Sequence, residues 1–274
     1  MRVLLLGTAA GGGFPQWNCA CRMCTAGLPP RSQDCIAVSA DGREWYLVNA
    51  SPDIRTQILS SKSLLAGPGP RDTPIRGALL TDAELDHTLG LTMLREGAGL
   101  RVWAPPAVLR ALDSDFPLRG IVSRYGSWTW NSEFSIQGLP VSVFPVSDKR
   151  PKYVQSDADG PWVVAYKIGP LVYAPCLKTW PDGFDEFVAD ASCVILDGTF
   201  YSADEMSGSV GGGGQRAMGH IPIVESLPRL HPGKQWIYTH LNNTNPVLDP
   251  ASPEHQAVVA GGASVPQDGT EIVL

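Results

Sequence analysis

Short apolar runs closed by Gly, Pro, Asn or Asp recur along this chain, and such runs predict buried strands. Residues 2–6 are Leu-rich and stop at Gly7. Cys35–Ser39 and residues 45–49 flank Asp41-Gly42, a dipeptide that reaches a positive φ at low cost, so an antiparallel hairpin is expected there. Ser51-Pro52-Asp53 supplies an N-cap, a proline suited to a first turn and an acid at the positive helix end, which predicts a helix through residue 59. A Pro/Gly-rich loop at 67–74 precedes an apolar run at 75–80, and Leu89, Met93 and Leu94 then follow at helical spacing. Further strands are expected at 101–104, 141–146, Val163–Ile168, Leu171–Ala174, 193–196 and 235–238. Helices are expected at 107–113, 182–190 and 223–230, the acids of the second forming a solvated face. Each half mixes antiparallel and crossover units, a pattern that suits an α/β protein of two sheets packed face to face with helices outside.

Composition bounds the function. With 274 residues and 43% hydrophobic content the chain can bury a large core, and one domain over 1–274, or two repeats fused into one, is expected. A net charge of −6 with no Lys/Arg-rich run argues against a nucleic-acid partner. No apolar run approaches the roughly 20 residues that cross a bilayer, so no membrane partner is expected. The six cysteines do not resemble a secreted disulfide framework, because three crowd into Cys19, Cys21 and Cys24. A cytoplasmic protein is expected.

The chemistry centres on Thr81-Asp82-Ala83-Glu84-Leu85-Asp86-His87, on the loop between a strand and a helix, where open α/β sheets place their ligands. The segment resembles the His-x-His-x-Asp-His metal motif of the metallo-β-lactamase superfamily, with Asp82 and Glu84 standing for its first two histidines. Asp86 and His87 remain. Asp197 and His240 also follow apolar strands directly, and His220 precedes a helix, so these side chains can converge on one sheet edge with Asp86 and His87. Two or three imidazoles with one or two carboxylates suit a non-haem iron oxygenase, whereas dinuclear zinc hydrolases use a histidine-rich set. Asp82 and Glu84 are hard oxygen donors to the metal, partners that orient His87 or His240, or bases facing a substrate; the residue pattern leaves these roles open.

Cys19-x-Cys21-x-x-Cys24 has zinc-site spacing and suits a structural Zn²⁺. A closed tetrahedral site needs a fourth ligand, and Asn243, His240 or a residue from a second copy in a homodimer are the candidates. Cys35, Cys176 and Cys193 read as core or loop residues. The Gly7-to-Gly13 loop lacks the order and ending of nucleotide-binding motifs and reads as a close-packed loop near the site. Ser207 to Gly214 is either a lid over the pocket or a plain loop, and Asn242-Asn243-Thr244-Asn245-Pro246 reads first as an Asx turn.

The order of these pieces resembles one family nearly end to end. Gly7-Thr8-Ala9, Gly13-Phe14-Pro15-Gln16-Trp17-Asn18-Cys19, Asn49-Ala50-Ser51-Pro52-Asp53, Asp86-His87-Thr88, Leu94-Arg95-Glu96-Gly97, Asp197-Gly198-Thr199-Phe200, Met218-Gly219-His220 and His240-x-Asn242-Asn243-Thr244-Asn245-Pro246 are similar to the pyrroloquinoline quinone (PQQ) biosynthesis protein B family of the metallo-β-lactamase superfamily. The resemblance implies a four-layer αββα sandwich, a structural zinc at the Cys loop and a part in PQQ biosynthesis. It further implies either a carrier of PQQ or its precursor toward the periplasm or an iron-dependent, O₂-using hydroxylase acting on an amino diacid precursor made from a fused Glu and Tyr. The donor set favours hydroxylation at Fe²⁺. Asp86, His87 and His240 carry over most directly as metal and catalytic residues, then His220 and Asp197, then Asp82 and Glu84.

Overall fold

The computed structural model describes residues 1–157, 159–205 and 215–274; the Ser207-to-Gly214 stretch lies outside the described residues. Its strands are β1 (Arg2–Gly7), β2 (Cys35–Ser39), β3 (Trp45–Val48), β4 (Ile75–Leu79), β5 (Arg101–Trp103), β6 (Thr129–Asn131), β7 (Val141–Ser147), β8 (Val163–Ile168), β9 (Leu171–Ala174), β10 (Cys193–Asp197), β11 (Gln235–Thr239), β12 (Ala263–Ser264) and β13 (Glu271–Val273). One sheet has the order β13-β1-β2-β3-β4-β5-β6 and the other β12-β11-β10-β9-β8-β7. Both combine antiparallel and parallel pairing: β1 to β3 are antiparallel and β3 to β6 parallel, while β7 to β9 are antiparallel and β9 to β12 parallel.

Strand alternation builds the layers. Val3 and Leu5 of β1, Ile36 and Val38 of β2, Tyr166 of β8, Tyr173 of β9 and Ile195 of β10 share one buried cluster, the core between the two sheets. Their neighbours Leu4, Leu6, Ala37, Ala165, Val172 and Val194 belong to a second cluster with Ile54, Val108, Phe184, Ile223 and Val258. Those last residues come from helices α1 (Ile54–Ser60), α3 (Pro106–Ala111), α5 (Phe184–Val188), α7 (Ile223–Ser226) and α8 (Pro253–Ala260), between which fall α2 (Leu85–Thr88), α4 (Leu118–Val122) and α6 (Gln215–Met218). Helices therefore cover the outer sheet faces, and the arrangement is the expected αββα sandwich.

Several element bounds differ from the pattern-based expectation. The first helix begins at Ile54, after a turn in which Ser51 Oγ accepts from Asp53 N–H at 3.2 Å, while the Asp53 carboxylate accepts from the backbone and side-chain nitrogens of Gln33. Gly183 has φ +80°, which breaks the run from Asp182 and confines α5 to Phe184–Val188. The expected helix is reduced to the single turn of α2, which carries Asp86 and His87 of the motif itself, continued by the tight turn Leu89–Thr92. Residues 223–230 split into α7 and the tight turn Leu227–Arg229, where Pro228 lies. Among the described residues, no helix is long and apolar enough to cross a membrane.

The strand ends matter most for function. Asp82 to His87 follow β4, Cys176 follows β9, Asp197 closes β10 and His240 follows β11, so four carboxyl-end loops supply one cavity. Its rigidity rests on the core beneath it. Ile195 is fully buried between the sheets, and Ile195→Ala is expected to lower unfolding free energy by ~2–5 kcal/mol, read as a lower denaturant midpoint with an unchanged slope.

Candidate metal centre and its cavity

Asp82 is buried and points at His87: its carboxylate oxygens lie 2.9 and 2.8 Å from His87 Nδ1. It also accepts from the Glu84 backbone N–H at 2.9 Å and from Thr81 Oγ1 at 2.8 Å. With Nδ1–H committed to Asp82, Nε2 of His87 turns inward, where it is buried and has no hydrogen-bond partner. The backbone is pinned as well. Ala50 N–H donates to the His87 carbonyl at 2.7 Å, and Asn49, held at φ +66°, accepts from Thr81 N–H at 2.9 Å.

His240 is built in the same way from the opposite sheet. Its Nδ1 lies 2.8 Å from Thr199 Oγ1, and its Nε2 is buried without a partner. Thr199 Oγ1 donates to Asp197 Oδ1 at 2.6 Å, so it accepts from His240 Nδ1–H, which fixes the tautomer. His240 adopts φ +57°, a conformation a side-chain-bearing residue reaches only when its surroundings hold it there. Here they do: Leu241 N–H donates to the Thr8 carbonyl, and the Leu241 carbonyl accepts from Ala10 N–H, each at 2.9 Å.

Asp86 completes the group. Its Oδ2 lies 3.4 Å from His240 Nε2 and 3.9 Å from His87 Nε2. A Cβ added at Gly11 would come within 3.0 Å of the same oxygen, so the glycine-rich loop packs directly on the site. Burial opposes charge on His87, yet the Asp82 and Asp86 carboxylates outweigh it and raise the imidazole to about 10. Burial likewise opposes ionisation of Asp86, but His87 and His240 hold it well below the usual carboxylate range. Two inward nitrogens and one carboxylate oxygen therefore form a donor set whose charge balance suits a cation.

The other expected residues surround this group. Asp197 accepts four hydrogen bonds, from Leu177 N, His220 Nδ1, Thr199 N and Thr199 Oγ1. The carboxylate thus orients His220, and one of its oxygens lies within 4.8 Å of a ring nitrogen of each of His220 and His240, a group of donors able to hold a cation. The His220 ring stacks on His240 with centroids 5.3 Å apart. Glu84 stands at the rim, 3.2 Å from Lys149 Nζ. Asp34, buried behind the site, accepts from Tyr173 and Thr239.

A domain of the Beta-lactamase superfamily matches residues 44–240. The chain is 36% identical to coenzyme PQQ synthesis protein B of Pseudomonas aeruginosa and 38% identical to that of Azotobacter vinelandii, with 100% of each chain covered. The crystal structure of Zn²⁺-bound PqqB from Methylobacterium extorquens is similar at 34% identity over 100% of both chains, with a TM-score of 0.91. The chain belongs to the coenzyme PQQ synthesis protein B family. A diphosphatase of the PhnP family, 19% identical with a TM-score of 0.75 over 99% of this chain and 97% of that one, shares the fold.

The Cys loop of this family member also fits zinc. The sulfurs of Cys19, Cys21 and Cys24 lie within 4.8 Å of one another. Asn243 packs against the cluster: its backbone carbonyl oxygen lies 3.6 Å from Cys21 Sγ and 3.9 Å from Cys24 Sγ, and its Nδ2 lies 3.4 Å from Cys24 Sγ. His240, the other candidate within the chain, is in the cavity instead. Asn245 forms the expected Asx turn, its Oδ1 accepting from Val247 N–H at 2.9 Å.

Sequence patterns missed part of the cavity, which holds about 470 Å³. Lys149, Lys152 and Tyr153 line it from the loop after β7, and Cys176, read above as a core or loop residue, lies in its wall. Cys176 had a usable signal, since it follows a strand end just as His240 does. Thr199 had none of its own.

Two outcomes follow. Cys21→Ser is expected to lose zinc bound at the loop and to lower the melting temperature, while His87→Ala retains that zinc; metal analysis of the purified proteins checks both. Glu205 accepts from Thr244 Oγ1 and Tyr201 N–H, and burial pushes it up to about 7 from an ordinary 4.5. A carboxyl raised in the folded state stabilises it most below 4.5, and that contribution declines as pH rises to about 7. The melting temperature of the parent should fall across that window more than that of Glu205→Gln.

Proposed function

We propose that this chain acts in PQQ biosynthesis as an iron- and O₂-dependent hydroxylase of a tyrosine-derived amino diacid precursor. The observation that carries the reading is the convergence of His87 Nε2, His240 Nε2 and Asp86 Oδ2, two imidazoles and one carboxylate on one side of an accessible cavity. This is the facial set used by non-haem Fe(II) oxygenases, and it leaves coordination positions open. Iron held by these residues supplies the activation of O₂.

The protein's own groups do the rest. Asp82 and Thr199 hold the two imidazoles in the tautomer that presents Nε2, an orienting role of the kind outer hydrogen-bond partners play in metal sites. His220 donates Nδ1–H to Asp197, so its Nε2 carries the lone pair and serves as acceptor for a phenolic proton. Lys149 and Lys152 give the cavity a cationic side suited to the precursor's carboxylates. Glu84, paired with Lys149, tunes that side and does not bind the metal.

The test is anaerobic reconstitution with Fe(II), addition of the precursor, then exposure to O₂ while product mass is followed. Gain of oxygen by the precursor, abolished in His87→Ala and His240→Ala, is the expected result. Asp82→Ala should weaken cavity metal binding ~10–100-fold without removing any proposed ligand. Tight binding of an unchanged precursor would overturn the hydroxylase reading in favour of a carrier, and an active preparation holding zinc alone would overturn the assignment of iron.

A further inference from the structure

Cys176 lies two residues beyond the end of β9, on the same edge of the sandwich as Asp197 and His240. Its sulfur and one ring nitrogen from each of His87 and His240 lie within 4.8 Å of one another, and all three residues are buried. No hydrogen bond to its Sγ is found among the described residues. The facing atoms, Nε2 of both histidines, are themselves buried without partners. A thiol meant only for packing would meet apolar side chains on this side; Cys176 meets two imidazole rings.

We propose that Cys176 is a fourth protein ligand of the cavity metal, bound as the thiolate beside His87, His240 and Asp86. On metal uptake the S–H bond breaks, a sulfur–metal bond forms and the proton is released to solvent. A bound cation favours the thiolate, because a coordinating thiol is deprotonated outright.

The resulting set of two nitrogens, one oxygen and one sulfur is softer than the exchange of two histidines for Asp82 and Glu84 suggests. It selects Fe(II), Co(II) or Zn(II) over Mg(II), Ca(II) and Mn(II). This inference rests on the reading of Asp86, His87 and His240 as a metal site, but it needs neither iron chemistry nor O₂.

Cobalt separates the two. Protein with zinc retained at the Cys loop is titrated anaerobically with Co(II), and absorption is followed in the near-ultraviolet, where thiolate-to-cobalt charge transfer appears, and in the visible ligand-field region. The parent should show both signals. Cys176→Ser and Cys176→Ala should lose the charge-transfer band, keep ligand-field absorption, and bind cobalt more weakly by at least the roughly 10–100-fold that loss of an outer partner costs. Unchanged charge transfer and affinity in both variants, with parent-like melting temperatures, would overturn the role of Cys176 and leave the metal site standing. Cobalt uptake by His87→Ala identical to that of the parent would overturn the metal site, and this inference with it.

Discussion

Two buried imidazole nitrogens without partners, Nε2 of His87 and of His240, impose the constraint on which the rest of the site depends. Leaving a buried polar group unsatisfied costs ~1–3 kcal/mol, and each histidine is nevertheless held in that orientation by several independent contacts. Asp82 grips one ring and Thr199 the other, through hydrogen bonds to Nδ1. Around them the backbone adopts positive φ at both Asn49 and His240, each held by hydrogen bonds of its neighbours. The two sheets meet here from opposite sides, so the distance between the rings is set by the core of Val3, Ile36, Tyr166, Tyr173 and Ile195. Fold and site are one mechanical problem.

The second metal-suited cluster is tied to the first by a short span of backbone. Asn243, packed on the thiols of Cys21 and Cys24, follows His240 by three residues, and between them Leu241 is bonded to Thr8 and Ala10. Asn242 donates its backbone N–H to the Thr199 carbonyl, joining the same span to the residue that fixes the His240 tautomer. An ion held at the thiols would restrain the chain immediately after His240.

How much of this was legible in the sequence depended on range. Strand ends are local events, and the apolar runs before Thr81, Asp197 and His240 located them well, as Gly7, Gly198 and Asp41-Gly42 located turns. The layers followed from the same alternation. Thr199 was opaque, because its role arises where Asp197, His220 and His240 meet it, and nothing near residue 199 announces that meeting. Lys149 reaches Glu84 across 65 positions of chain, which no periodicity records. Helix bounds slipped where a glycine of positive φ, such as Gly183, overrode propensity. The last strand, Glu271–Val273, is too short to carry a pattern and forms because β1 offers an open edge.

Replacing an imidazole by Asp82 does more than remove a ligand. A carboxylate in that position is drawn to the nearest cationic partner, and here that is the protonated or metal-bound His87, whose Nδ1 it takes with both oxygens. The residue that would extend a second metal site in a histidine-rich relative is thereby turned into a support for the first. Glu84 goes the other way, outward to Lys149, and leaves the cavity centre to His87, His240 and Asp86. With Cys176 facing the same two rings, the centre keeps enough donors for one cation and spends its remaining carboxylates, Asp82 and Asp197, on orientation.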